Sequence, residues 1–142
     1  MQIEVVHITD DELYEAFQRL VPQLTNNNPP PTREDLIALI QEPGTTLLLA
    51  RSDNGHIIGA LSLIVYRVPT GIRSIIEDVV VDISARGKGA GEALMLYAID
   101  LARQKGARNI SLTSNPARVA ANKLYLKMGF VKRETNAYQM KL

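Results

Sequence analysis

The chain has 142 residues, 46% of them hydrophobic, with 16 basic and 15 acidic side chains and a formal net charge of +1. That size suits a single domain, residues 1–142, with a core large enough to fold without staples, and the balanced charge argues against a nucleic-acid or membrane-surface partner, which would call for a basic excess. There are no cysteines, so disulfides, thiolate metal sites and a cysteine nucleophile are excluded.

The opening residues, MQIEVVHITDDE, lack a basic segment followed by a long apolar run, so no signal peptide is expected. No apolar stretch approaches the ~20 residues that span a bilayer. The expectation is a cytoplasmic protein. IEVVHIT, residues 3–9, is β-branched and reads as a first strand. Thr9 or Asp10 then caps a helix over DELYEAFQRLVPQL, where Leu13, Phe17 and Leu20 share a face. TNNNPPP, residues 25–31, is the strongest breaker in the chain. Thr32 and Asp35 are spaced as a capping box for a second helix, REDLIALIQE, stopped by Pro43 and Gly44.

Three strands follow. TTLLLARS and HIIGALSLIVYRV flank the turn DNG, a hairpin pattern, and IRSIIEDVVVD comes after PTG. Val79, Val80 and Val81 in succession suggest burial on both faces. Uninterrupted alternation would set Glu77, Val79 and Val81 on one face and Asp78, Val80 and Asp82 on the other. A glycine-rich segment leads into a helix carrying Leu94, Tyr97, Ala98, Leu101 and Ala102 at helical spacing. ARNISLTS reads as a strand, PARVAANKLYLKMG as a helix from Pro116 to Gly129, and FVKRETNAYQMKL as one or two closing strands. The order β-α-α-β-β-β-α-β-α-β(-β) predicts an α/β (α+β) fold. Its mixed sheet of six to seven strands, with about four helices, is antiparallel early and parallel around the glycine helix.

The chemistry concentrates in SARGKGAGEALM. A strand that passes through glycines into a helix makes an anion site, because the first helical N–H groups lack internal partners and the helix dipole adds positive charge. Arg86, Gly87, Lys88, Gly89, Ala90, Gly91 and Glu92 therefore form a candidate phosphate or pyrophosphate cradle, to which Arg86 and Lys88 add charge. Two phosphate motifs are excluded. The dinucleotide fingerprint needs glycine where Glu92 stands and an acid near the end of the next strand, which reads LTSN. The triphosphate loop needs Ser or Thr after its lysine, and Lys88 precedes Gly89. His7 and His56 lack metal-ligand spacing, and no metal is expected.

VVVDISARGKGAGEALM resembles the acetyl-coenzyme A signature of the GNAT superfamily of N-acetyltransferases, a strand and linker followed by [QR]-x-x-G-x-[GA], here Arg86, Gly89 and Gly91. ANKLYLKMGF resembles a second block of that superfamily, through Ala121, Leu124, Tyr125, Gly129 and Phe130. The two blocks occur in the family's order, and the resemblance covers essentially the whole chain. It implies acetyl-CoA as co-substrate, with its pyrophosphate on the loop and its pantetheine arm along the backbone of Val79, Val80 and Val81. It implies Tyr125 as the acid for the departing thiolate and Asn122 as a contact for the coenzyme arm. Glu77, a carboxylate within an apolar strand, is the candidate base, directly or through a water, with Asp78 in reserve. The expected activity is transfer of the acetyl group to a primary amine of a small molecule or peptide.

The acceptor site is expected between residues 25–31, residues 68–71 and RETNAYQM. Arg67, Arg73 and Arg133 nearby suggest an acceptor with an anionic group. Many relatives dimerise, and the closing strands could mediate a homodimer. Two other readings are a non-catalytic acyl-CoA-binding or sensor module and a nucleotide-binding protein.

Overall fold

The computed structural model describes residues 1–142, which fall into two units, residues 1–112 and residues 113–142. In the first unit, β1 (Gln2–Val5) leads to α1 (Asp11–Leu24). The cap is Asp10, whose Oδ1 accepts from the Leu13 amide at 2.8 Å, while Asp11 and Glu12 complement the dipole in the first turn. Leu13, Ala16, Phe17 and Leu20 form the buried stripe. Pro22 stands inside the helix and has no N–H for the Gln18 carbonyl, so the last turn gets less support from its own backbone. The helix α2 (Arg33–Gln41) opens on the expected capping box: the Asp35 amide donates to Thr32 Oγ1 at 3.1 Å and the Thr32 amide to Asp35 Oδ2 at 2.9 Å.

β2 (Thr45–Arg51), β3 (Ile57–Val68) and β4 (Gly71–Val81) form an antiparallel meander with β1 on its outer edge. The DNG turn closes where the Ser52 amide donates to His56 O at 2.9 Å. Gly71 pairs with Val68 across the second hairpin. A 3-10 turn, Ile83–Ala85, and the glycine loop lead into α3 (Ala90–Gln104). The chain then returns as β5 (Ile110–Ser111), parallel to β4. The sheet has 5 strands in the order β1-β2-β3-β4-β5.

The two faces of this sheet are covered by different helices. Leu13, Ala16, Phe17, Leu20 and Leu36 of α1 and α2 pack with Leu47, Leu49, Ile57, Ala60 and Val80. On the other face a Cβ at Gly59 would lie 3.3 Å from Leu94 of α3, and Leu48, Leu61, Leu63, Leu94 and Met95 are fully buried. Burying such a side chain contributes roughly 1.5–3 kcal/mol. Packing of these leucines, rather than helix or strand propensity, is therefore the main support of the sheet.

In the second unit α4 (Val119–Lys127) begins later than Pro116. Residues 116–118 form a turn instead, with Asn115 Oδ1 accepting from the Ala117 amide at 2.9 Å and Asn115 O from the Arg118 amide at 3.0 Å. An asparagine that bonds the backbone two residues on favours a turn over continuous helix.

Two strand expectations are corrected. The strand expected over residues 107–114 shrinks to two residues, and FVKRETNAYQMKL forms no strand, so the sheet has five strands rather than six to seven. A strand needs a hydrogen-bonded neighbour and a buried face. Residues 131–142 have no ladder partner, and Val131, Tyr138 and Met140 are 82%, 89% and 81% exposed.

Candidate active site

β4 carries the first group of predicted residues and does not alternate evenly. Ala60 of β3 faces Val80, but Ser62 faces Glu77, so Asp78 and Val79 together oppose Leu61. This is a β-bulge, and Asp78 takes φ 51° within it, the one positive φ outside glycine. The bulge overturns the expected face assignment. Ala60 and Ser62 lie on the same face of β3, so Glu77 shares the α1–α2 face with Val80. Val81, paired with Gly59, lies on the α3 face. The sequence hid the extra residue, because a bulge is set by pairing with β3 and no glycine marks it.

The bulge also sets the electrostatics. Glu77 and Asp78 are adjacent and both exposed. Partial desolvation, and then the like charge of Asp78, raises the Glu77 carboxyl above the ordinary glutamate range. A carboxyl so placed binds a proton more readily than a free glutamate.

Beyond the bulge the sheet opens. The parallel ladder from β4 to β5 covers only Ser74 and Ile75. The C-terminal half of β4, with Val79, Val80 and Val81, keeps β3 as its strand neighbour. The edge where β4 and β5 part leads directly into the glycine loop.

In that loop Gly87 and Gly89 have φ values of 78° and 88°. A Cβ at either would meet nothing within 4 Å, so the glycines serve conformation rather than clearance. Gly89 caps α3 and brings no capping side chain. The head of α3 therefore has no hydrogen bond from a capping side chain, and the first amides of a helix favour an anion. Arg86 Nε donates to Val81 O at 3.1 Å, fixing the arginine to the end of β4. Lys88 is exposed, Gly91 and Glu92 are half-buried, and Ala90 is buried against the unit.

The start of the loop carries residues that the sequence reading left aside. Asp82 is buried, and its Oδ1 accepts from the Ser84 amide at 3.1 Å and from Ser84 Oγ at 3.0 Å. Its Oδ2 accepts from Arg19 Nε at 2.9 Å. These bonds, the Ser84 amide first, hold the Asp82 carboxyl below the usual aspartate range. The spacing Asp-x-Ser directly after a strand was the available signal.

Tyr125 and Asn122 lie in the second unit, one turn apart on α4. Tyr125 is buried, its ring 6.0 Å from Phe130 in an edge-to-face contact. Burial raises the phenol above its ordinary value, partly offset by Arg118, so it stays protonated at neutral pH. Asn122 Nδ2 donates to Asn115 O at 3.0 Å and Arg118 O at 2.9 Å. Its Oδ1 is thereby the end able to meet a ligand donor. Ser114 Oγ is buried without a hydrogen-bond partner, a further polar group that sequence reasoning did not single out.

The hairpin arginines separate. Arg67 pairs with Ile72 and Arg73 with Tyr66, so the two guanidiniums project from opposite faces. Arg73, Ile75 and Glu77 follow one another on a single face ahead of the bulge. A cavity of about 210 Å³ lies elsewhere, lined by Glu4, His7, Asp10, Glu12 and Arg51 among others. It contains none of the predicted site residues, and its Arg51 is already bound by Glu4 and Glu12 at 2.8 and 2.7 Å.

Comparison with known proteins bears on the whole chain. Residues 7–130 match the model of the acetyltransferase (GNAT) family. Glucosamine 6-phosphate N-acetyltransferase of Trypanosoma brucei brucei is 35% identical over 60% of this chain and 58% of that protein. Mycothiol acetyltransferase of Renibacterium salmoninarum is 35% identical over 69% of this chain and 30% of that protein. The chain thus spans less than two thirds of either curated relative. The crystal structure of a Trypanosoma brucei acetyltransferase superposes with a TM-score of 0.75 and 28% identity, covering 99% of this chain and 97% of that one. No helix is long and apolar enough to cross a membrane. The family match spans the loop, the splayed strand edge and α4, and the chain belongs to the GNAT acetyltransferase family.

Proposed function

We propose that this protein is an N-acetyltransferase that moves the acetyl group of acetyl-CoA directly to a primary amine. The observation that carries the reading is the glycine loop at the head of α3, uncapped and adjoining the end of a splayed strand. Backbone amides from Gly87 to Glu92 hold the pyrophosphate, with Arg86 and Lys88 adding charge. The pantetheine arm runs along Val79, Val80 and Val81 and meets Asn122.

A lysine-like amine has a pKa near 10.4, so it must lose a proton before it attacks. Glu77 takes that proton, directly or through a water. The amine nitrogen bonds to the thioester carbonyl carbon, and a β4 amide steadies the oxygen as it gains charge. The C–S bond then breaks, and Tyr125 gives its phenolic proton to the departing thiolate. The nitrogen, cationic once bonded to carbon, gives its second proton through water to the Tyr125 phenolate, and Glu77 releases the first to solvent, which closes the cycle. The raised carboxyl and the protonated phenol both suit these roles.

Among the relatives above is one named for acetylating glucosamine 6-phosphate. Arg73 sits on the Glu77 face four residues away, about 13 Å along an extended strand, with its Nη2 donating to Thr70 Oγ1 at 2.7 Å, and on turning from that bond its guanidinium covers part of the distance toward an anion. An acceptor with an amine at one end and an anionic group at the other fits this face. Arg67, on the opposite face, does not contribute.

The test is release of free thiol from acetyl-CoA across amines, amino acids, amino-sugar phosphates, polyamines and peptides. Saturable release, greatest with an anionic amine, is expected. Arg73→Ala should raise KM for that acceptor about tenfold, the loss of one charged hydrogen bond, and leave KM for acetyl-CoA unchanged. Coenzyme binding without thiol release on any amine would replace this reading with an acyl-CoA sensor. Polyamines as the best acceptors would overturn the anionic-acceptor part alone.

A further inference from the structure

The glycine loop has little to fix its own shape. Gly87 and Gly89 carry no side chains and meet no neighbours at their Cβ positions. Its geometry is therefore set from its two ends, α3 behind and the turn Ile83–Ala85 ahead. That leading turn is not held by the sheet alone. The Asp82 amide donates to Ile58 O at 2.8 Å, and the Ala85 amide donates to Asp82 O at 2.8 Å. Side-chain ties come from Arg86, whose Nε donates to Val81 O at 3.1 Å, and from α1.

Arg19 and Gln23 stand one turn apart on α1, near its end. Arg19 Nε donates to Asp82 Oδ2 at 2.9 Å, while its Nη2 donates to Ile57 O at 2.6 Å. Gln23 Oε1 accepts from the Ile83 amide at 2.8 Å, and its Nε2 donates to Arg19 O at 3.2 Å. The second Asp82 oxygen holds Ser84. One carboxylate thus joins helix to loop: Oδ2 faces α1 and Oδ1 faces the turn. The arginine fork can hold a carboxylate and a carbonyl together, which a lysine cannot do in one plane.

We propose that Arg19 and Asp82 are positioning residues for the coenzyme loop, holding its leading turn in the conformation that a pyrophosphate meets. Gln23 supports the same tie. This inference rests on the reading of the loop as the coenzyme cradle. Without the tie the leading turn samples other conformations, and ordering it again is charged to coenzyme binding. The tie touches neither substrate nor coenzyme. It also gives α1, which leads into residues 25–32, a direct connection to the loop.

The test compares wild type with Arg19→Met, Arg19→Lys, Asp82→Asn, the Arg19→Met/Asp82→Asn double variant and Gln23→Leu. Each is checked for folding by circular dichroism, then assayed for acetyl-CoA affinity by calorimetry and for steady-state kinetics. Arg19→Met and Asp82→Asn should each raise Kd and KM for acetyl-CoA about tenfold, with kcat at saturating coenzyme within about twofold of wild type. The double variant should be no worse than the poorer single one, as expected for one shared interaction. Arg19→Lys should recover part of the loss. Gln23→Leu removes no charge and should weaken binding about threefold even if the others fold poorly. Acetyl-CoA affinity unchanged in Arg19→Met and Gln23→Leu, with only the melting temperature lowered, would overturn the proposal and leave the cradle intact. Failure of wild type itself to bind acetyl-CoA would overturn the cradle reading and this inference with it.

Discussion

At the scale of single residues, the account turns on a carboxyl raised toward proton uptake and a buried phenol that stays protonated. Glu77 is raised by desolvation and by Asp78. A carboxyl raised in the folded state adds stability below its unfolded pKa and loses it as pH rises through the folded value. Ionised Glu77 is therefore a liability at neutral pH. Glu77→Gln should lower kcat by roughly 10²-fold or more, yet melt slightly higher than wild type at pH 7, with no such gain at pH 4. Asp78→Asn removes the like charge, so the acid limb of the kcat/KM profile should move to lower pH. Tyr125→Phe keeps the buried ring and its contact with Phe130 but removes the proton. Turnover should fall at least tenfold with acetyl-CoA affinity within about twofold of wild type; equal turnover at every pH would remove Tyr125 from the mechanism.

At the scale of elements, what was legible depended on whether the signal was local. The helices α1 and α2 lie where the capping residues and apolar spacing put them, because caps and stripes are written within a few neighbouring residues. The hairpins likewise follow from DNG and PTG. The bulge at Asp78 and Val79 was not legible: it is defined by how β4 pairs with β3, and no glycine in IIEDVVV marks the extra residue. The closing strands were misread for the opposite reason. Tyr138, Met140 and Leu142 alternate as a strand would, but pairing is a non-local property, and residues 131–142 have no ladder partner. Arg19, Asp82 and Gln23 lie far apart in sequence and only the fold brings them together. The glycine loop, by contrast, was legible because its conformation requires the residue type. Gly89→Ala forces a side chain into φ 88°, which costs about 1–2 kcal/mol, and since a Cβ there meets no neighbour the penalty should appear in coenzyme affinity, about tenfold, rather than as a packing defect.

At the scale of the whole molecule, a five-stranded mixed sheet carries α1 and α2 on one face and α3 on the other. This arrangement opens a strand edge beside the head of a helix. The same sheet face presents Glu77 and Arg73 in line. Membership of the GNAT family rests on a match across residues 7–130, and the catalytic proposal adds specific duties to specific side chains within it.

The central claim is that the peptide groups of residues 87–92 grip an acyl carrier through its phosphates. Its most direct test is a titration of the isotope-labelled protein with acetyl-CoA, followed through backbone amide resonances. The account predicts that the amides of Gly87, Gly89, Ala90, Gly91 and Glu92 shift together and saturably, with those of β1 unmoved. Saturating carrier that leaves these amides in place would contradict it.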